Sequence, residues 1–184
     1  MYLIIIALAS SFILPYLYSL LRDTRIDRLE KFLIRHHKNP NLHLCYLMAN
    51  NRTDEAEALL GKLIAKSKSS ARTALYIAMC ATHQKNTEAL KKVLPDLPAG
   101  KYRSYYEATV HIMEGNLEAA YNLIEALPKP WMRDSLLSEL ELAKGNREEA
   151  VAYARQAWQG CRGVQRYVSY KNYELYLPEA LASA

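Results

Sequence analysis

Phenylalanine is scarce in this 184-residue chain, with two residues against fourteen tyrosines. The aromatic rings therefore mostly carry a hydroxyl end, which suits half-wet positions between helices better than a dry core. Glycine and proline are few, six and seven, while hydrophobic residues make up 51%. That balance excludes long disordered or low-complexity tracts. Only three cysteines occur, Cys45, Cys80 and Cys161. Scattered thiols in odd number build no disulfide framework, so a reducing compartment is the simpler expectation. No segment alternates apolar and polar residues long enough to argue a strand.

Catalytic signatures are missing too. His36, His37, His43, His83 and His111 share no metal-ligand spacing, and His43 and Cys45 point to different faces of any helix. There is no CxxC, HExxH, GxSxG or P-loop glycine run. Glu139, Glu141, Glu148 and Glu149 read as charges on solvated faces and helix ends. The expectation is a protein that is not an enzyme and holds no metal or cofactor.

The net charge of +5 is uneven. Residues 22–38 carry six lysines or arginines against three acids, residues 39–100 eight against five, and residues 101–184 ten against eleven. A basic surface attracts nucleic acid or anionic lipid. Lys62, Lys66, Lys68 and Arg72, with Lys91 and Lys92 beyond, form a stripe without an aromatic platform. A solvated helix face explains that stripe, and no nucleic-acid partner is expected.

Residues 1–21 contain no charged side chain. As a helix they would extend about 31 Å, close to the thickness of a bilayer's hydrocarbon core. This predicts a transmembrane anchor over 1–21; a cleaved signal peptide or a buried core helix is the alternative. Arg22, Arg25, Arg28 and Lys31 follow it within a basic helix over residues 22–38. The positive-inside rule then puts the body on the cytoplasmic side of the cell membrane. Thr24 and Asp27 resemble a capping box, and Ile26, Leu29, Phe32 and Leu33 form an apolar stripe. That stripe packs on the next helices, or else the helix lies on the membrane with its bases toward anionic lipid.

From residue 40 onward helices come in pairs, first helices near 41–50, 70–84, 102–114 and 131–144, second helices near 53–66, 87–94, 117–127 and 147–159. The turns repeat. Gly115-Asn116 and Gly145-Asn146 each end one helix and precede another, with weaker copies at Asn51 and Asn86, so the asparagines are spaced 35, 30 and 30 apart. Six residues before them stand Cys45, Cys80, Val110 and Leu140; ten before stand Asn41, Tyr76, Tyr106 and Leu136. Those offsets share one helix face. They make Cys45 and Cys80 small core residues rather than reactive thiols.

These helix–turn–helix units, with their Gly-Asn turns and the following Ala120 and Ala150, resemble tetratricopeptide-like repeats over residues 40–160. The Trp-Leu-Gly-Tyr pattern of that family's first helix is absent. The resemblance implies an all-α solenoid of about four units over residues 39–184 that docks a protein or peptide. Positions one residue off the core columns flank the packed face and are the candidate lining: Arg72, Leu75 and Met79 with Thr82 in the second unit, Tyr102, Tyr105 and Thr109 with Ile112 in the third. Tyr167, Tyr170, Tyr173 and Tyr176 mark a C-terminal helix that either caps the stack or offers an aromatic stripe to a partner. Three functions remain open: a membrane-anchored docking scaffold, a regulatory subunit whose stack changes shape on binding a peptide, and an exported or soluble helical domain.

Overall fold

A computed structural model describes residues 13–182, and among them every regular element is helical. Four hairpins form the body. They pair α3 (Pro40–Ala49) with α4 (Thr53–Lys66), α5 (Ser70–His83) with α6 (Thr87–Val93), α7 (Lys101–Met113) with α8 (Leu117–Glu125), and α9 (Pro130–Lys144) with α10 (Arg147–Gly160). Ahead of them lie α1 (residues 13–21) and α2 (Ile26–Arg35), and behind them α11 (Gly163–Tyr176). Helices adjacent in sequence pack together along the whole stack.

Each hairpin turns through one left-handed residue: Asn51 and Lys85 at φ 54°, Gly115 at 78° and Gly145 at 87°. The next amide reaches back five residues, from Arg52 to the carbonyl of Leu47 at 2.9 Å, and from Asn86 to Ala81, Asn116 to His111 and Asn146 to Glu141 at 2.8 Å. That bond satisfies a carbonyl the helix end would otherwise leave unpaired. It also corrects the register. Asn51 is the counterpart of Lys85, not of Asn86, so the steps from 51 to 85, 115 and 145 are 34, 30 and 30.

With that correction the core columns close. Ten residues before Arg52, Asn86, Asn116 and Asn146, which precede the second helices, stand Leu42, Tyr76, Tyr106 and Leu136, all buried, with Leu42 replacing the exposed Asn41. Two residues further on come Leu44, Ala78, Ala108 and Ser138, buried in every unit. The second helices contribute Ala56, Leu90, Ala120 and Ala150. Apart from Leu44 and Leu90 these side chains are small, which lets the paired backbones approach closely in the third and fourth hairpins. Ser138 is tolerated because its hydroxyl donates to the carbonyl of Ala150 at 2.9 Å. Tyr46, not Cys45, stands with Cys80, Val110 and Leu140. Cys45 and Cys80 are half-buried, and burial raises both thiols above their ordinary range.

The expected transmembrane helix is overturned. Among the described residues no helix is long and apolar enough to cross a membrane; residues 1–12 of that segment lie outside the described residues. The inner side of α1 belongs to the folded body. Tyr16 stands 5.4 Å from the ring of Phe32 and 5.2 Å from that of His36, and Leu20 joins the cluster of Leu29, Phe32, Leu33, Leu42 and Tyr167. The basic helix does not run on from α1. Asp23, buried, accepts the Arg25 amide at 3.0 Å and breaks the chain before α2. Arg25 occupies the capping position with no side-chain bond, so the Thr24–Asp27 box does not form.

The last helix and the turn that follows it cover the last unit, with Tyr173, Leu177 and Ala180 packed on Ala154 and Ala157. It also reaches the opposite end of the chain. The Gly163 amide donates to the Asp23 carbonyl at 2.8 Å, and Arg166 Nε donates to that of Thr24 at 3.0 Å. Tyr167, fully buried, accepts from Asn50 Nδ2 at 2.9 Å, donates to Glu30 Oε1 at 3.2 Å, and stacks on Tyr46 at 6.4 Å. α11 therefore ties α2 and α3 to α10.

Candidate docking site

The first helices of the hairpins offer two different ends. Near the C-terminal ends of α5, α7 and α9, α11 faces them across a cavity. Thr82, His83 and Lys85 of the second unit, Ile112 and Met113 of the third and Ser138, Glu139 and Leu142 of the fourth face Asn172, Tyr173, Tyr176 and Leu177 around a cavity of about 350 Å³. Lys85 Nζ stands 5.5 Å from the centre of the Tyr176 ring. Burial pushes the Glu139 carboxyl up to about 7, with Lys85 pulling it back down.

The N-terminal ends of α5 and α7 stay open. Between them and the linker lies a cleft of about 470 Å³, lined by Ala71, Arg72, Leu75, Leu97, Pro98, Ala99, Gly100, Lys101 and Tyr102. Its walls are mostly apolar. Arg72 is exposed, and Tyr102 is 51% exposed with Lys101 Nζ 5.2 Å from its ring centre. Among the described residues neither Arg72 nor Lys101 forms an ion pair with a carboxylate. Two cations thus border an apolar recess without acids of their own.

Of the candidate lining residues, Arg72, Leu75 and Tyr102 come together here. Met79 is half-buried against Ala74, Ala78 and their neighbours, below the cleft. Tyr105 packs between the second and third hairpin cores and edge-on against Tyr106 at 5.6 Å; burial raises its hydroxyl well above the ordinary range. Thr109 is 1% exposed, and its hydroxyl donates to the Tyr105 carbonyl at 3.0 Å, so it has no surface to offer. Thr82 and Ile112 line the α11 cavity instead. Sequence reasoning missed the other wall, Leu97 to Lys101. Its signal was the Pro98-Ala99-Gly100 break directly before Lys101 and Tyr102.

Among the described residues no group of three histidine, cysteine or carboxylate side chains is placed to hold a metal ion. The thiol of Cys161, buried, is pushed up to about 11 by burial. The fold and the cleft define an all-helical, solenoid-like protein with an open apolar and cationic recess on its second and third hairpins. No family model, no curated protein and no solved structure matches the chain.

Proposed function

We propose that this chain is a docking scaffold whose tetratricopeptide-like hairpins hold a peptide segment of a protein partner. The observation that carries this reading is the convergence of Arg72, Leu75, Lys101 and Tyr102 on one open recess. An apolar side chain of the partner fills the recess, and an acidic neighbour meets Arg72 and Lys101. Tyrosine and arginine over a desolvated pocket are the residue types that dominate binding energy at interfaces. The tie of α11 to α2 and α3 favours a fixed platform over a stack that changes curvature.

A photo-reactive phenylalanine analogue at Tyr102 tests this, with Tyr121 on α8, 46% exposed, as the control position. Cross-linking in cells is expected from position 102 and not from 121, with an acid-rich partner peptide in the adduct. Arg72→Glu is expected to weaken capture about tenfold, by reversing a charge at the recess. Equal capture from both positions, or indifference to Arg72→Glu, would overturn the reading.

A further inference from the structure

Among the described residues the outer side of α1 is apolar and exposed. Ile13, Leu14, Leu17, Tyr18 and Leu21 are between 41% and 64% exposed. They recur at one and four residues along the helix, which gathers them on one stripe, while Tyr16 and Leu20 turn inward to the core. Large apolar side chains this exposed are costly in water unless something covers them.

The neighbouring helix also carries Asp27 and Glu30, but its side toward α1 supplies cations, and the acid on the cleft they border, Asp23, is buried. Leu14, Pro15 and Tyr18 of α1 share a cleft of about 580 Å³ with Arg28, Lys31 and Arg35 of α2. Arg28 has only a distant partner, Asp23 at 4.0 Å. Among the described residues Lys31 and Arg35 form no ion pair. The arrangement is a greasy ridge beside a cationic trough, on one surface, away from the Arg72 cleft.

From this juxtaposition we infer that α1 and α2 form a peripheral docking surface for an anionic phospholipid bilayer. Leu14, Leu17, Tyr18 and Leu21 sink into the interfacial region while Arg28, Lys31 and Arg35 neutralise headgroup phosphates. The helix lies in the surface and does not span it. Apolar burial supplies part of the attraction, and each lysine or arginine near an anionic leaflet supplies a comparable increment that salt weakens. A bilayer is the better match because the sequence preceding the ridge, residues 1–12, is also uncharged and strongly apolar, an extent that suits a lipid interface, while Lys31 and Arg35 without partners and Arg28 with a distant one match anionic headgroups. Of the four cations expected from the sequence, Arg28 and Lys31 line this trough; Arg22 and Arg25 are exposed at the break between the helices.

Flotation of the full chain with phosphatidylcholine vesicles, with and without phosphatidylglycerol, decides the matter. Attachment is expected to the anionic vesicles only. The R28Q/K31Q/R35Q variant, with an unchanged circular dichroism spectrum, is expected to partition about tenfold less or lower still. Leu14→Ser combined with Leu17→Ser is expected to weaken attachment while leaving its salt dependence. Equal attachment to neutral vesicles, no attachment at all, or full attachment by the triple variant would each sink the proposal.

Discussion

The four hairpins and the layer made by α1, α2 and α11 are held by contacts of different reach. In the hairpin stack each helix leans on its neighbours in sequence, and one set of columns serves all four units. In the closing layer the bonds join residues 117, 137 and 142 positions apart, Asn50 and Glu30 to Tyr167 and Thr24 to Arg166. The stack can form unit by unit, as repeat proteins do. The layer forms only once both ends of the chain have been brought together, against a larger loss of chain entropy. The difference teaches where this protein is redundant. Losing one column position weakens one unit, whereas losing one bond of the layer loosens the tie between first and last.

Two glycines break that comparison open. Gly145 and Gly163 both sit at positive φ, 87° and 57°. An added Cβ at Gly145 meets nothing within 4 Å, but at Gly163 it collides with the backbone of Leu20 and Leu21. Gly145→Ala should therefore lose only the left-handed term, about 1–2 kcal/mol. Gly163→Ala should lose that and push α1 off α11, about 4 kcal/mol in all. Urea unfolding of the two variants measures the gap. Equal losses would mean that α1 is not held against α11 by this contact.

The next effect is smaller. Tyr167→Phe keeps the ring between α2 and α3 but removes the hydroxyl that meets Asn50 and Glu30. Asn50 Nδ2 retains the Tyr46 carbonyl at 2.8 Å, so it is not stranded. The expected loss is about 1–2 kcal/mol, the range for a hydrogen bond to a partly buried charged network. Hydrogen exchange should rise in α2 and α3 and stay unchanged in α7 and α8. A uniform rise would show that the layer and the stack open together.

Helix boundaries were legible in the sequence because turn residues announce them, and the observed bounds fall within a few residues of those expected. The register of the first unit was not. The left-handed position is held by Asn51 in one unit and by Lys85 in the next, and lysine carries no turn signal, so residue types alone align Asn51 with Asn86. Arg72, Leu75 and Tyr102 were reachable from helical phase alone. Phase could not show that Thr109 spends its hydroxyl on the Tyr105 carbonyl, or that the far wall of the cleft is an aperiodic linker. The partners of α11 lie more than a hundred residues away and leave no periodic trace. The apolar stretch before Arg22 was read as facing lipid on all sides, because its one-sided use, Tyr16 and Leu20 inward and Leu14 and Tyr18 outward, depends on where Phe32 and Tyr167 lie.

The last effect, of about the same size, sits where stack and layer meet. Glu139 on α9 lines the cavity under α11 beside Lys85 and Tyr173, and its carboxyl is pushed up to about 7 by burial. A carboxyl whose folded pKa is raised holds a proton that the unfolded chain has released between about pH 4.5 and 7. The folded state is therefore favoured at the acid end of that window and loses this contribution as pH rises through it, with no further change above. Glu139→Gln removes the titrating group and keeps its shape. The variant should be more stable than the parent by roughly 1–2 kcal/mol at pH 8, a value discounted because the carboxyl reaches solvent through the cavity, and about equal to it at pH 4. Glu114, Glu141 and Glu179, held below the ordinary carboxylate value by Lys91, Lys144 and Arg147, titrate below that window. Their contributions cancel in the difference between variant and parent, so the pH dependence of that difference reports Glu139 alone. A flat difference would place the carboxyl in water rather than in the cavity that α9 shares with α11.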